Sequence, residues 1–90
     1  MKDKIYNLLN ESFAPVYLQV NDESGQHKGH RDVKGARETH FSIEVVSEKF
    51  EGMTLIVRHR LIYHVLKNVL EAGVHALGIS AKTPKEWKRY

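Results

Sequence analysis

Cysteine is absent from this 90-residue chain. That excludes disulfides, thiol redox chemistry, a cysteine nucleophile and a self-sufficient set of thiolate ligands for a metal cluster. Histidine, present six times, is left as the best ligand for a borderline metal. No apolar run reaches the length of a membrane span. The amino terminus, Met1-Lys2-Asp3-Lys4, leads into an amphipathic pattern rather than the apolar block of a signal peptide, so a cytoplasmic protein is expected. Charge of one sign is also in short supply. Fourteen Lys and Arg against eleven Asp and Glu leave a formal +3, which permits nucleic-acid contact without demanding it.

With 41% hydrophobic and 28% charged residues, the composition describes one globular domain over residues 1–90. Ile5, Leu8, Leu9 and Phe13 share a helical face that Asp3 can cap, and Pro15 stops the helix. Val16, Leu18 and Val20 then alternate with Tyr17, Gln19 and Asn21, which predicts a strand with one apolar face. From Asp22 to Glu38 there is no periodicity, with glycines among mostly polar and charged residues and two histidines. A loop of that length in a compact domain is functional or mobile. Thr39 to Ser47 resumes the alternation, with Phe41, Ile43 and Val45 on one side, and closes a hairpin.

The stretch Ser47 to Leu70 organises the second half of the chain. Glu51-Gly52 separates two helix-prone pieces, and Leu55, Ile62, Leu66 and Val69 fall on one helical face. The second piece is predicted as one amphipathic helix from about Thr54 to Glu71, roughly 27 Å long, with Gly73 as its stop. Arg60 and Lys67 point away from the apolar stripe, and Arg58 borders it. Val74 to Ala81 reads as a third strand, opened by His75 and expected to run parallel to the second. Thr83-Pro84-Lys85-Glu86 carries a capping box and a proline at the first helical position, which predicts a short terminal helix. The element order is α-β-β-α-α-β: an α+β two-layer sandwich with a three-stranded mixed sheet and helices on one side. The expected core is Ile5, Leu8, Leu9, Val16, Leu18, Phe41, Ile43, Val45, Ile62, Leu66, Leu77 and Ile79.

Phe50, Gly52, Arg58, His59, Arg60 and Tyr63, in the order F-x-G-x-x-x-x-x-R-H-R-x-x-Y, resemble the central motif of the BolA family. Val74-His75-Ala76-Leu77, Glu38-Thr39-His40-Phe41 and Thr83-Pro84-Lys85-Glu86-Trp87 are similar to further segments of that family, in the same order. The resemblance covers nearly the whole chain. It implies a fold similar to the class II KH domain, in which the central helices of segment 47–71 resemble a helix-turn-helix. It also implies an adaptor that shares a [2Fe-2S] cluster with a monothiol glutaredoxin and its glutathione. In that reading His75 and a loop histidine, His27 or the alternative His30, are the metal ligands. The protein would be a monomer alone and a heterodimer with its partner.

Taken without the resemblance, His27 and His30 are solvated loop residues and His75 is half-buried at a strand mouth. Arg58, His59, Arg60 and Lys67 offer a second functional reading, a DNA-binding transcriptional regulator with arginines placed at phosphates or guanine edges. Against it stands the plain alternative of a solvated basic face. There is no G-x-x-G loop, which makes RNA binding of the usual KH kind unexpected. Tyr63 and Trp87 read as packing residues. An enzyme is not expected: there is no nucleophile elbow, phosphate loop, H-E-x-x-H or paired-carboxylate motif. His59 and His64 lie about 140° apart on a helix and cannot form a two-histidine metal face.

Overall fold

The computed structural model describes residues 1–23, 40–74 and 76–88. Helix α1 (Lys2–Phe13) buries Ile5, Leu9 and Phe13, a face repeating every four residues. Its N-cap is Met1 rather than Asp3, which sits in the first turn, where its charge complements the helix dipole. At the other end Ala14 turns left-handed (φ 43°, ψ 55°), and its N–H donates to the Asn10 carbonyl at 3.0 Å. Pro15 comes next, so the chain turns directly into the sheet.

Strands β1 (Tyr17–Asp22), β2 (His40–Val46) and β3 (Ala76–Lys82) form a sheet in the order β1-β2-β3. β1 pairs antiparallel with β2, and β2 pairs parallel with β3, as the crossover requires. The register aligns Val20, Ile43 and Ile79 in one row and Leu18, Val45 and Ala81 in another. Those rows face the helices. Phe41, Ile43 and Val45 are buried on that side, while His40, Ser42 and Glu44 on the other are half-buried. Val16 departs from the expected core. It precedes β1 and is 57% exposed, because the alternation of the sequence runs on past the point where a helix covers the sheet.

Ser47 joins three elements at the end of β2. It is buried, its Oγ donates to the Phe13 carbonyl at 2.6 Å and accepts from Lys49 N–H, and its own N–H donates to the Lys82 carbonyl. A 3₁₀ turn, Glu48–Phe50, places the Phe50 ring 5.0 Å from that of Phe13. Gly52 takes φ +79°, and Thr54 caps α2 by accepting from Val57 N–H.

The expected helix from 54 to 71 is divided into α2 (Leu55–Val65) and α3 (Lys67–Glu71) at Leu66, where φ is −96° and ψ is 9°. Leu66 N–H still donates to Ile62, and Leu70 N–H to Leu66, so this is a bend with its ladder kept. Arg58, Ile62, Leu66 and Val69 are the buried stripe. Leu55, expected on it, is 63% exposed: it is the first helical residue and lies beyond the packed layer. Gly73, at φ +129°, ends α3 in a conformation other residues avoid. The capping box of α4 (Pro84–Trp87) forms as expected, and Trp87 stacks on Tyr17 with centroids 5.1 Å apart.

Of the expected core, Ile5, Leu9, Phe41, Ile43, Val45, Ile62 and Leu66 are buried, and Leu8, Leu18, Leu77 and Ile79 pack against them half-buried. Phe13, Val20, Phe50, Val69, Val74 and Ala81 complete it. The left-handed Ala14 is a correctable weakness. Ala14→Gly removes its steric cost, so chemical denaturation should show a gain of about 0.5–1 kcal/mol after the extra freedom of glycine in the unfolded chain is offset.

Candidate functional site

The four basic-motif residues separate into different environments because successive residues on a helix turn by about 100°. Arg58 points inward and is 5% exposed. Its Nε donates to the Met53 carbonyl at 3.0 Å, and Nη1 donates to the Ala81 carbonyl at 2.9 Å and to Glu86 Oε1 at 2.8 Å. Nη2 donates to Glu86 Oε2 at 3.2 Å, completing a two-pronged pair with the carboxylate. The guanidinium carbon stands 5.8 Å from the centroid of the Phe50 ring. The expectation that Arg58 contacts DNA is therefore corrected: its donors are engaged within the fold and its charge is held away from the surface.

His59 is half-buried, while Arg60 and Lys67 are exposed together with Tyr63 and His64. Tyr63, expected to pack, is 46% exposed. The helix-turn-helix likeness of segment 47–71 is limited, since its first piece is a single 3₁₀ turn of three residues rather than a helix.

The three candidate metal ligands, His27, His30 and His75, lie outside the described residues. The anchors on either side of them are described. Glu23 N–H donates to the His40 carbonyl at 2.8 Å, so residues 23 and 40 meet at one end of the β1–β2 pair. His40 is in turn the register partner of Ala76, the first residue of β3. Adjacent strands lie about 4.8 Å apart, so both ends of segment 24–39 and the residue after His75 are tethered at one end of the sheet. Val74, on the other side of His75, is buried. Among the described residues no three His, Asp or Glu side chains gather as a metal site would require.

Glu86, which the sequence marks only as a capping residue, is the partner that fixes Arg58. Its carboxylate accepts from Arg58 and from Thr83 N–H, and these hydrogen bonds, with Arg58 the larger influence, hold its pKa at about 2 against an ordinary 4.5. A carboxylate with a depressed pKa contributes stability above its unfolded value and loses it as pH falls through its folded value. The stability difference between the wild type and Glu86→Gln should therefore be full above pH 4.5 and vanish towards pH 2; a difference constant across that range in urea titrations would contradict this. Arg58→Lys should also destabilise, by about 2–3 kcal/mol, because an ammonium cannot reach two carbonyls and both carboxylate oxygens from one place.

Comparison with known proteins places these features in a family. The family model described as "BolA-like protein" matches residues 9–86. "Protein BOLA1, chloroplastic" of Arabidopsis thaliana is 50% identical over 80 residues, covering 87% of this chain and 50% of the relative, so the chain spans half of that protein's length. "DNA-binding transcriptional regulator BolA" of Escherichia coli strain K12 is 39% identical over 88 residues, covering 98% of this chain and 80% of the relative. Among solved structures, "BolA1 from Arabidopsis thaliana" superposes with a TM-score of 0.86 at 45% identity, covering 96% of this chain and 94% of that one. The chain belongs to the BolA-like protein family.

Proposed function

We propose that this domain is a non-enzymatic adaptor that pairs with a monothiol glutaredoxin and lends histidine ligands to a [2Fe-2S] cluster held between them with glutathione. The observation that supports this reading is the convergence of anchors at one end of the sheet: Glu23, just past β1, bonds to His40 of β2, which pairs with Ala76 of β3. The segments that carry His27, His30 and His75 thus join the described fold at the same end of the sheet. The donor chemistry fits one half of a shared site. A chain without cysteine can supply imidazole to iron but not the thiolates that most clusters need, so sulfur must come from the partner. Imidazole ligation raises the reduction potential of such a cluster. It also makes the bond sensitive to acid, because a protonated imidazole has no lone pair for the metal. The protein on its own would be a monomer and the working species a heterodimer.

A second reading, DNA-binding regulation, is favoured by the name of the Escherichia coli relative and by the exposure of Arg60 and Lys67 along α2 and α3. With Arg58 withdrawn, few phosphates could be neutralised, and binding would be weak and steeply dependent on salt. Arg60→Ala and Lys67→Ala should each flatten the slope of log affinity against log salt by about 0.9 if each contacts one phosphate.

The test between the readings is to mix the protein with a cluster-loaded monothiol glutaredoxin and record visible absorption and circular dichroism. The adaptor reading expects a spectrum distinct from that of the glutaredoxin alone, abolished by His75→Ala and by His27→Ala combined with His30→Ala. An unchanged spectrum, or one indifferent to all three histidines, would return DNA binding to first place.

A further inference from the structure

Leu55, Ile56 and Val57, the first three residues of α2, are 63%, 59% and 43% exposed. An exposed aliphatic residue that stands alone needs no explanation, but three in succession form a patch. With Gly52, Met53 and Thr54 before them they make an uncharged tip, where the chain passes from the 3₁₀ turn into the helix. The helix itself does not ask for this sequence. Thr54 supplies its cap, its first turn holds no acidic residue to suit the dipole, and the β-branched isoleucine and valine lose side-chain freedom in a helix. Nor does the core require it, since α2 joins the core through Arg58 and Ile62.

The charge behind the tip has one sign. From Thr54 to Leu70 there is no Asp or Glu, and Arg60, His64 and Lys67 are exposed along α2 and α3. The acids of the preceding turn, Glu48 and Glu51, border the same cleft as Lys85 and Lys88, which offset their charge. We propose that this tip is a peripheral membrane-docking site, at which Leu55, Ile56 and Val57 enter the outer part of an anionic lipid surface and Arg60 meets its phosphates. Geometry and charge together identify the occupant. Successive residues of a helix turn by about 100°, so the three aliphatic side chains spread over about 200° of arc. A partner helix or sheet lies along one side of a helix and would leave part of that arc in water. A fluid lipid phase closes round the end of the helix and covers all three. A nucleic acid answers Arg60 with phosphates but has no hydrocarbon phase for the aliphatic side chains. Arg60 stands roughly 4.5 Å further along the axis than Val57. Its guanidinium therefore sits at headgroup level when the aliphatic side chains reach the boundary with the acyl chains, roughly 5–10 Å deep. The tip docks rather than spans: among the described residues no helix is long and apolar enough to cross a membrane. The site is independent of the cluster reading and uses none of the candidate ligands.

The proposal is tested by co-sedimentation of the full chain with vesicles of phosphatidylcholine containing about 30% phosphatidylglycerol, at about 5 mM lipid. The wild type should bind, and binding should fall by about fivefold on phosphatidylcholine alone and by a similar factor in Arg60→Ala. Leu55→Ser combined with Ile56→Ser should weaken binding by about tenfold or more. Val16→Ser should leave it unchanged, because Val16 is as exposed, at 57%, but stands alone before β1. Methyl NMR of the unaltered protein provides a second measurement. A spin-labelled lipid in the vesicles should broaden the methyl signals of Leu55, Ile56 and Val57 and spare those of Val16. No co-sedimentation of the wild type, equal binding to phosphatidylcholine alone, or an equal loss in Val16→Ser would overturn the proposal. Tip methyl signals that respond to duplex DNA and not to vesicles would overturn it in favour of a nucleic-acid face. Changes at the tip that grow with protein concentration in the absence of lipid would make it a contact between copies instead.

Discussion

One buried cation holds the parts of this domain in relation to each other. The Arg58 guanidinium, from the first turns of α2, bonds to the turn that precedes the helix, to the last residues of β3 and to the helix that closes the chain. A charge at 5% exposure would be strongly destabilising without compensation. Here the Glu86 carboxylate offsets it, two carbonyls take further donors, and Phe50 offers the face of its ring. The carbonyl of Ala81 and the carboxylate of Glu86 are distant from it in sequence. The arrangement therefore exists only when β3 and α4 are already in place, and it penalises any packing that leaves them out.

The sheet consequently has two unlike ends. At one, Ser47, Arg58, the capping box of α4 and the Tyr17–Trp87 stack interlock strands, turn and helices. At the other, Glu23 bonds to His40 across β1 and β2, and β3 begins at Ala76. Residues 23, 40 and 76, which flank the candidate ligands in the chain, lie at this second end. The same buried arginine also decides what the basic motif can do, since it leaves Arg60 and Lys67, and not Arg58, for any charged surface outside.

Much of this is legible in the sequence because it depends on local pattern. The alternation of Phe41, Ile43 and Val45 needs only the two-residue repeat of a strand, and Thr83-Pro84-Lys85-Glu86 describes its own cap. The parallel pairing of β3 is a consequence of the helical crossover. Pattern misleads where it runs beyond the packed layer: Val16 and Leu55 continue apolar repeats but have nothing above them. The bend at Leu66 interrupts a helix whose residues carry no proline or glycine to announce it. Arg58 is illegible for a more basic reason. Its partner is 28 residues away, and a lone arginine bordering an apolar stripe looks the same in sequence whether it faces solvent or is paired within. The candidate ligands are identified by likeness to a family, and membership of that family is established; their roles rest on the proposed function.

The claim that Arg58 and Glu86 act as one structural unit is tested most directly by a double-mutant cycle. Urea unfolding would be measured for the wild type, Arg58→Met, Glu86→Gln and the combined variant at neutral pH. If the pair is the unit described, each single change lowers the midpoint and the combined variant loses clearly less than the two losses added. Strictly additive losses, or an Arg58→Met protein as stable as the wild type, would show that the fold does not depend on this pair.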